Sequence, residues 1–283
     1  MKRFTVLLFL LFAACSVHEA PASKATLKIR LLDVGQGLAV LLESDGKFAM
    51  FDTGPDSADV SGALQALSAR DLEWVAVSHL HRDHAGGFLE FGPLKTGFSY
   101  KRFLWSGDTA HGTAEHSFVR DSVERILASR GIAMERLARG DSIAFAGHSF
   151  NVLWPPADEK FGENAASLVL SMKIGNESLL LVGDLEAAQE ERLLQMSGTL
   201  SATVLQVGHH GSNTSSSLKF LETASPTYTL IGVGNGNSYG HPTSETLQKL
   251  YYVTGDSTHV LRTDRHGTIC LEWVFNVGIW PCS

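Results

Sequence analysis

The sequence predicts a mixed α/β (α+β) fold in which two mixed β-sheets face each other and helices cover them. Short apolar strands cluster in both halves of the chain, and helical segments are interleaved between them. The 283 residues are 44% hydrophobic, which is enough for a sizeable core, and no linker breaks the middle of the chain. We therefore predict one folded domain of the size of an enzyme.

The first half of the domain contains four predicted strands and two predicted helices. Residues 27–32 alternate apolar side chains with lysine and arginine, which is typical of a strand with one face in water. Asp45 and Gly46 indicate a turn between the next two strands, and Gly131 indicates the end of the second helix. The predicted strands are residues 27–32, 39–42, 48–51 and 74–77, and the predicted helices are residues 60–69 and 118–129.

The second half repeats this pattern of apolar strands and helices. Gly175 and Asn176 indicate a turn between two of the strands. The predicted strands are residues 150–153, 168–174, 179–182, 204–207 and 228–233. The predicted helices are residues 186–196, 218–221 and 243–251. Residues 259–262 and 268–274 are expected to pair as a final hairpin.

The first 25 residues are expected to direct export. Two basic residues precede an apolar stretch and two alanines stand at a cleavage point, so residues 1–14 are predicted to be a signal peptide. Cys15 then resembles the lipidated cysteine of a bacterial lipoprotein, and residues 15–25 would link it to a domain at 26–283. Acyl chains on Cys15 would hold the exported protein at a membrane. Plain secretion and an uncleaved anchor are the alternatives.

Composition limits the classes of partner. The net charge is −7 at pH 7, and removal of residues 1–14, which carry two positive charges and no acids, would make it −9. An acidic protein has no whole-molecule attraction for nucleic acid, so such binding would need a local basic patch. Apart from Cys15 the chain has Cys270 and Cys282, which in an exported protein either form a disulfide or remain free thiols.

A dense group of metal-binding side chains follows the fourth predicted strand. The segment SHLHRDHAGG, residues 78–87, contains His79, His81, Asp83 and His84. Residues two apart share a face of an extended chain, so His79 and His81 can reach one ion. Asp83 and His84 can turn towards a second point nearby. Histidine and carboxylate together suit zinc, iron or manganese, so we interpret this segment as part of a metal site.

Two later strands end in residues of the same kind. One leads into Asp184, which either bridges two ions or caps the helix that follows. The other leads into the sequence GHHGS, which contains His209 and His210. Three strand ends of this kind are expected to form one rim of a single sheet. A fourth candidate, His241, lies in the sequence YGHP, where an exposed loop histidine is the alternative.

These motifs resemble the metallo-β-lactamase superfamily. HLHRDH at 79–84 is similar to its H-x-H-x-D-H signature. Further runs resemble, in order, the metallo-β-lactamase domain of the competence protein ComEC: LLDVGQG (31–37), FDTG (51–54), NAASLVL (164–170), LLLVGDLE (179–186), LQVGHHGSNTSSS (205–217), NSYGHP (237–242) and LRTDRHGTI (261–269). The resemblance implies a four-layer αβ/βα sandwich with metals at one edge between the sheets. ComEC itself carries a membrane channel region, so the resemblance indicates a stand-alone, exported relative.

The resemblance also implies two divalent ions, zinc or manganese, and a set of residues that bind them. The implied ligands are His79, His81, Asp83, His84, Asp184 and His209. The first pair of histidines would bind one ion, the neighbouring Asp–His pair would bind the other, and the later aspartate would bridge them. His209 is preferred to His210 because it follows its strand first.

Three positions outside this set bear on the site. Asp52 of the FDTG run is expected to orient a metal ligand by a hydrogen bond without binding the metal itself. Asn164 stands where the superfamily usually has a histidine for the first ion, so it is either a weak ligand or a substrate contact. The first ion would then be held loosely, or would be manganese. Leu38 replaces an aspartate that usually follows VGQG in ComEC, which puts full activity in doubt.

The implied activity is hydrolysis of a phosphodiester, with DNA outside the cytoplasm as a candidate substrate. The two ions would activate a hydroxide that attacks the phosphorus. Asp83 would orient this nucleophile, and His210 or His241 would protonate the leaving oxygen. Residues that form either a positive strip for phosphates or ordinary surface charge are Lys219, Arg262, Arg265 and His266.

Three other functions are kept as alternatives. One is hydrolysis of another envelope phosphodiester, such as a choline-phosphate ester. Another is hydrolysis of a β-lactam, which the GHHGS and YGHP sequences favour less. The third is a non-catalytic metal-binding protein. The number of polar groups at one point argues against it, because burying each of them costs free energy. The sequence indicates no protein partner.

Overall fold

The computed structural model describes residues 26–107 and 113–282, so the predicted signal peptide, Cys15 and the linker at 15–25 lie outside the described residues. The strands are β1 (Thr26–Leu31), β2 (Ala39–Ser44), β3 (Lys47–Thr53), β4 (Asp71–Val77), β5 (Ser99–Tyr100), β6 (Phe103–Trp105), β7 (Met134–Arg136), β8 (Ser142–Phe145), β9 (His148–Trp154), β10 (Val169–Ile174), β11 (Glu177–Leu181), β12 (Val204–Gln206), β13 (Tyr228–Ile231), β14 (Val260–Arg262), β15 (Ile269–Val274) and β16 (Gly278–Pro281). The α-helices are α1 (Val60–Ala66), α2 (Arg82–Ala85), α3 (Phe88–Phe91), α4 (Ala114–Arg130), α5 (Ala187–Ser197), α6 (Leu218–Ala224), α7 (Ser244–Thr254) and α8 (Thr263–His266). Short 3₁₀ helices occupy Leu94–Thr96, Glu163–Ala166, Gly208–Gly211 and Ser257–His259.

The strands form two mixed sheets, as the sequence predicted. Sheet A has the order β16-β15-β1-β2-β3-β4-β6-β7, with β5 also paired to β4. Sheet B has the order β14-β13-β12-β11-β10-β9-β8. In each sheet antiparallel pairs occupy one side and parallel pairs the other: β3, β4, β6 and β7 run parallel in sheet A, and β11 to β14 run parallel in sheet B.

Alternation of side chains along the strands builds four layers. In β2, Val40 and Leu42 enter the core between the sheets, whereas Ala39 and Leu41 pack under the helices on the outer face of sheet A. Sheet B has the same arrangement, with an inner core and a separate outer core beneath α5, α6 and α7. Strands covered on both faces are apolar at nearly every position, which explains their continuous hydrophobic runs. The predicted αβ/βα sandwich is therefore the observed architecture.

The predicted final hairpin is wrong. β14 pairs in parallel with β13 in sheet B, whereas β15 pairs with β1 in sheet A. The short helix α8 carries the chain from one sheet to the other. The hairpin at this end is formed by β15 and β16 instead, and the sequence prediction also missed the short strands β5 to β8.

A disulfide joins Cys270 to Cys282, with the two Cα atoms 5.4 Å apart. It links β15 to the residue that follows β16, and the Cys282 N–H donates a hydrogen bond to the Cys270 carbonyl at 3.0 Å. The disulfide therefore fastens the strand at one edge of sheet A. Of the two states left open by the sequence, the structure has the paired one.

The strands that precede the metal-binding motifs lie in different sheets. β4 belongs to sheet A, whereas β11 and β12 are neighbours in sheet B. The expectation of a single rim on one sheet is therefore wrong, because the site lies where the edges of the two sheets meet. Within the described residues, none of the helices has the length and apolar character needed to cross a bilayer.

Candidate metal centre

The segment after β4 places two histidines side by side. β4 ends at Val77, and Ser78 and His79 are fully buried directly behind it. The chain stays extended at His81, so residues two apart point the same way. His79 Nε2 lies 3.0 Å from His81 Nδ1, as their spacing in the sequence predicted.

Asp52 supports this segment from within the core. Its Oδ1 accepts a hydrogen bond from the Ser78 N–H at 2.6 Å, and its Oδ2 accepts from the Ser78 hydroxyl at 2.7 Å. Oδ2 also lies 2.8 Å from His84 Nδ1. Asp52 has a φ of 56°, in the left-handed region, so the fold holds an unfavourable backbone conformation to place this carboxylate.

These contacts fix which ring nitrogen is available in the neutral histidines. The Ser78 hydroxyl gives its proton to Asp52, so its oxygen can accept from His79 Nδ1 at 3.0 Å. His84 likewise donates from Nδ1 to Asp52. Both rings are then left with an unprotonated Nε2, which is the atom that can bind a metal.

Asp184 approaches from sheet B, just beyond the end of β11. Its Oδ2 lies 3.2 Å from His84 Nε2 and 3.6 Å from His210 Nε2. The preceding residue, Gly183, has a φ of 56°, and a Cβ atom there would lie 2.4 Å from the Ser78 Cβ. Glycine is needed at this point because the two sheets approach so closely.

Gln206, the last residue of β12, connects the two loops of sheet B. Its Oε1 accepts hydrogen bonds from the N–H groups of Val182 and Gly183, both at 2.8 Å. Its Nε2 donates to the carbonyls of Gly183 at 3.1 Å and Val207 at 2.8 Å. One buried amide therefore fixes the loop that carries Asp184 against the loop that carries the paired histidines.

His209 and His210 have different surroundings although they are adjacent. Both have positive φ values, 49° and 54°, so the chain turns sharply and sends the two rings in different directions. His210 is buried, and its Nδ1 donates to the Gly232 carbonyl at 2.7 Å, which leaves Nε2 3.3 Å from Asp83 Oδ2. His209 is more exposed, and its Nδ1 lies 2.9 Å from the Thr214 hydroxyl. The geometry therefore favours His210 over His209 as the ligand, the opposite of the preference drawn from the sequence.

Two groups of ligand atoms converge in this region. One contains His79, His84 and Asp184, and the other contains Asp83, His84 and His210; within each group the ligand atoms lie within 4.8 Å of one another. Asp184 Oδ1 is buried without a hydrogen-bond partner among the described atoms. An acceptor-only atom left unpaired in a cluster of imidazoles fits a bound cation.

The electrostatic interactions within the cluster also favour a bound cation. Burial opposes a charge on His84, but neighbouring carboxylates, that of Asp184 foremost, outweigh burial and raise the pKa of His84 well above its ordinary value. Burial and the nearby His84 hold the pKa of His79 well below its ordinary value. Burial would raise the pKa of Asp184, but His84 and His210 hold that pKa well below its usual range. The aspartate is therefore ionised, and positive charge beside it is strongly stabilised.

Comparison with known proteins agrees with this geometry. Residues 32–95 match the family model described as the metallo-beta-lactamase superfamily. "Competence protein ComA" of Neisseria gonorrhoeae is 31% identical over 273 residues, which are 95% of this chain and 35% of that protein. "ComE operon protein 3" of Bacillus subtilis (strain 168) is 32% identical over 215 residues, 76% of this chain and 26% of that protein.

The chain has the metallo-beta-lactamase fold, and its residues 32–95 match the sequence model of that superfamily. A solved diphosphatase from the PhnP family shares the fold, with a TM-score of 0.52 and 15% sequence identity over 89% of this chain and 98% of that one. The two competence proteins are much longer than the matched region, since the chain spans 35% and 26% of their lengths. The chain therefore shares the fold and a sequence signature of this superfamily of metallo-hydrolases, and its His and Asp groups could hold divalent ions.

Asn164 takes the place that the superfamily usually gives to a histidine. Its Nδ2 lies 3.5 Å from both His209 Nε2 and Glu186 Oε1, at the limit of a hydrogen bond. Its Oδ1 is buried without a hydrogen-bond partner among the described atoms. An amide oxygen is a weaker ligand than imidazole, so Asn164 would add little to the binding of an ion beside His79 and His81.

An open cavity of about 770 Å³ lies over the donor groups. We call its buried end the floor, formed by His81, Asp83, Asp184 and His210 over the buried His79 and His84. We call its exposed end the mouth, formed by Asp56, Arg82, Glu115, Tyr239 and His241. His241 therefore lies at the mouth and not among the converging donors, with its ring centroid 5.8 Å from that of His209.

The cationic residues expected to bind phosphates lie elsewhere. Lys219, Arg262, Arg265 and His266 are not among the residues that line the cavity. Lys219 lies 3.6 Å from Glu191, and Arg262 lies 2.7 Å from Asp264. The expected positive strip is therefore absent from this cavity among the residues that the structure describes.

Sequence reasoning missed several residues that support the superfamily site. Gln206 was included only as part of a strand, although a polar residue inside the apolar run VLQV was a signal that its side chain has a specific partner. Ser78 precedes the histidine motif but has no metal-ligand chemistry of its own. Tyr239 stands two residues before His241, and nothing in its local sequence indicated that it would be exposed.

Proposed function

We propose that this chain is a metal-dependent phosphodiesterase that acts on nucleic acid with two divalent ions, zinc or manganese. The observation that carries the proposal is the convergence of His79, His84 and Asp184, and of Asp83, His84 and His210, on the floor of an open cavity. A non-catalytic protein would have no use for so many polar groups at one buried point.

The geometry supports a set of ligands for each of the two ions. His79 and His81, whose facing nitrogens are 3.0 Å apart, would hold the first ion, with Asn164 as a weak additional donor. Asp83, His84 and His210 would hold the second ion. Asp184 would bridge the two, since its Oδ2 is close to His84 and its Oδ1 is unpaired. When bound, the ions supply an ionised water and positive charge for the oxyanion that develops at phosphorus.

Two residues of the cavity would handle protons. Burial opposes ionisation of Asp83, but His84 and His210 outweigh burial and hold its pKa well below the usual range, so it remains a carboxylate that can accept a hydrogen bond from the attacking water. His210 donates from Nδ1 to the Gly232 carbonyl and would bind the second ion through Nε2. Neither ring nitrogen is then available to protonate the leaving oxygen. His241 then becomes the candidate that protonates the leaving oxygen, because it lines the cavity and its Nδ1 has no hydrogen-bond partner among the described atoms.

The substrate class rests on the sequence relatives. Similarity to the competence proteins extends along 95% and 76% of the chain. Nucleic acid is therefore the substrate class that we propose.

The deciding experiment is a substrate panel. The purified chain, loaded with Mn²⁺ or Zn²⁺, is incubated with bis-p-nitrophenyl phosphate, single-stranded DNA, p-nitrophenylphosphorylcholine and nitrocefin. Turnover of the first two supports the proposal. Turnover of nitrocefin alone, or of the choline ester alone, replaces it with the corresponding alternative, and no turnover together with no bound metal indicates a non-catalytic protein.

The Asp83→Ala variant tests the assignment within the panel. It should lose one of the two ions by elemental analysis and lose hydrolysis of the diesters, because both a ligand and a proton acceptor are removed. The matched control is Asp121→Ala, which removes an exposed aspartate on α4. Full activity in Asp83→Ala would exclude Asp83 from the mechanism.

We also propose that the chain is exported and carries a lipid on Cys15. The support is the order of basic residues, apolar stretch and small residues before Cys15. Mass spectrometry of the N-terminal peptide from membranes of expressing bacteria should show acylated Cys15, and the Cys15→Ser variant should appear in the soluble fraction. An unmodified Cys15 in a secreted chain would establish plain secretion.

A further inference from the structure

Tyr239 is a large aromatic side chain that projects at the mouth of the cavity. It is 69% exposed, the highest exposure among the large hydrophobic side chains of the described residues. One face of its ring stacks on His241, with centroids 5.8 Å apart and planes inclined by 27°. The other face of the tyrosine ring is therefore the one open to solvent.

The loop that carries Tyr239 is held firmly despite this exposure. Asn237 Oδ1 accepts hydrogen bonds from the N–H groups of Tyr239 and His241, both at 3.1 Å, and its Nδ2 donates to the His241 carbonyl at 2.7 Å. Pro242 packs against Gly211, where a Cβ atom would lie only 2.5 Å from the proline Cβ. The tyrosine ring is thus presented by a loop whose backbone is fixed to the histidine loop beneath it.

Aromatic rings form a continuous path from this tyrosine to the floor. From Tyr239 the centroids step 5.8 Å to His241, 5.8 Å to His209, 6.3 Å to His210 and 5.1 Å to His84. A substrate whose phosphate lies at the floor would therefore have its next flat group along this wall. Tyr239 is the outermost ring of the path.

The charged residues at the mouth do not favour binding of a polyanion through lysine and arginine contacts to its phosphates. Arg82 is the one cationic arginine or lysine among the described lining residues, and its Nε and Nη2 already bind the Asp56 carboxylate at 2.7 Å and 2.6 Å. Glu115 and Glu163 add negative charge at the same rim. Contacts to a nucleic acid outside the floor must therefore be largely uncharged.

We propose that Tyr239 is a substrate-binding residue that stacks on an unpaired nucleobase beside the phosphodiester to be cleaved, so the site takes single-stranded nucleic acid. Stacking on an aromatic face is a main source of affinity for single strands and does not depend on basic residues. Bases inside a duplex are already stacked and cannot reach the ring. This inference rests on the proposed phosphodiesterase function and names the part of the substrate that the mouth recognises.

A choline group is the competing occupant, because carboxylates and an aromatic ring also attract a quaternary ammonium. Such a cation is bound best when several rings surround it. Tyr239 offers a single open face, since His241 covers the other. A flat base therefore suits the geometry better.

The test compares two oligomers of equal length and charge, oligothymidylate and an abasic deoxyribose-phosphate chain. Binding is followed by fluorescence anisotropy, and cleavage is followed in the presence of Mn²⁺. Wild-type protein should bind oligothymidylate about tenfold or more tightly than the abasic chain, as expected for one stacked base. Tyr239→Ala should lower the affinity for oligothymidylate to that for the abasic chain, whereas Tyr239→Trp should keep the preference.

The control variant is Tyr252→Ala, which removes a tyrosine of similar exposure, 68%, on α7 and away from the cavity lining. It should behave as wild type. Equal binding of the two oligomers by wild type, or tighter binding of phosphorylcholine than of thymidine monophosphate, would overturn the stacking role. The slope of log affinity against log salt should correspond to no more than about two phosphates; a slope for six or more would also overturn it.

Binding and cleavage report on different claims. If no diester is cleaved but the Tyr239-dependent preference for bases is present, the proposed hydrolysis fails and the base-binding role stands. If diesters are cleaved without any preference for bases, the proposed function stands and the role of Tyr239 fails.

Discussion

The floor and the mouth of the cavity are built in different ways. At the floor three of the four imidazoles are oriented by a buried partner: Ser78 for His79, Asp52 for His84 and the Gly232 carbonyl for His210. At the mouth Arg82 and Tyr239 are largely exposed, with few contacts that fix the side chains. Buried groups with satisfied hydrogen bonds have one conformation, whereas exposed groups can adapt to a substrate.

This difference separates chemistry from recognition. Changes at the floor should remove metal and lower kcat. Changes at the mouth should leave the metal in place and, apart from those at the proposed acid His241, should mainly alter KM. The variants that follow test this division, beginning with the largest expected effect.

Asp184→Asn should lower kcat/KM for bis-p-nitrophenyl phosphate by at least about 1,000-fold, because the proposed bridge between the ions loses its charge. Steady-state kinetics and elemental analysis of the same sample provide the measurement. Asp121→Asn on the surface of α4 is the control and should keep both metal and activity. Retention of two ions by Asp184→Asn would contradict the bridging role.

Gln206→Leu should lower the free energy of unfolding by about 2–3 kcal/mol, because two N–H groups and two carbonyls lose buried partners. Urea denaturation of the metal-free chain measures this. Gln248→Leu, an exposed position on α7, is the matched control and should change stability by no more than about 0.5 kcal/mol. Equal stability of the two variants would show that Gln206 does not hold the loops together.

Asp52→Asn should weaken metal binding by about 10–100-fold, since the amide cannot hold His84 as firmly as the carboxylate does. A chelator competition assay gives the affinity. Asp45→Asn is a close control, because Asp45 also has a positive φ, 50°, but lies in the exposed turn between β2 and β3. Unchanged metal affinity in Asp52→Asn would indicate that the orientation of His84 is set by packing alone.

Metal binding at pH 7 should release protons. Without an ion the neighbouring carboxylates hold the pKa of His84 well above its ordinary value, so its ring is protonated at pH 7 and must lose that proton to bind a metal. Affinity should therefore fall as the pH is lowered. Adding Zn²⁺ in weak buffer with an indicator dye should show at least one proton released per chain, and no pH change would contradict this charge assignment.

Arg82→Gln should have the smallest effect. Its ion pair with Asp56 is exposed, and exposed ion pairs contribute little because water screens them. We expect KM for single-stranded DNA to change less than about fivefold and metal content to stay the same. A loss of bound metal would show that the mouth and floor are coupled, against the division described above.

Much of the floor was predictable because its signals are local. His79, His81, Asp83 and His84 lie within six residues, and the structure brings them and Asp184 together. The layered fold was predictable for a similar reason, since strands covered on both faces are continuously apolar.

What the sequence could not indicate depends on contacts between distant segments. The choice between His209 and His210 is set by two left-handed residues and by the Gly232 carbonyl, which the order of residues does not indicate. The wrong hairpin has the same origin: β14 and β15 are both short apolar strands, and only the sheets around them decide their partners. The exposure of Tyr239 depends on the fold of a whole loop.

One consequence of the fold concerns the assembly of the two sheets. His79 and His84 follow a strand of sheet A, whereas Asp184 and His210 follow strands of sheet B. Ions coordinated by residues from both sheets would cross-link sheet A to sheet B. Movement of one sheet relative to the other would then break coordination bonds. Heating the loaded protein should therefore release its ions and separate its layers in a single cooperative event, at a temperature that rises with the concentration of free metal.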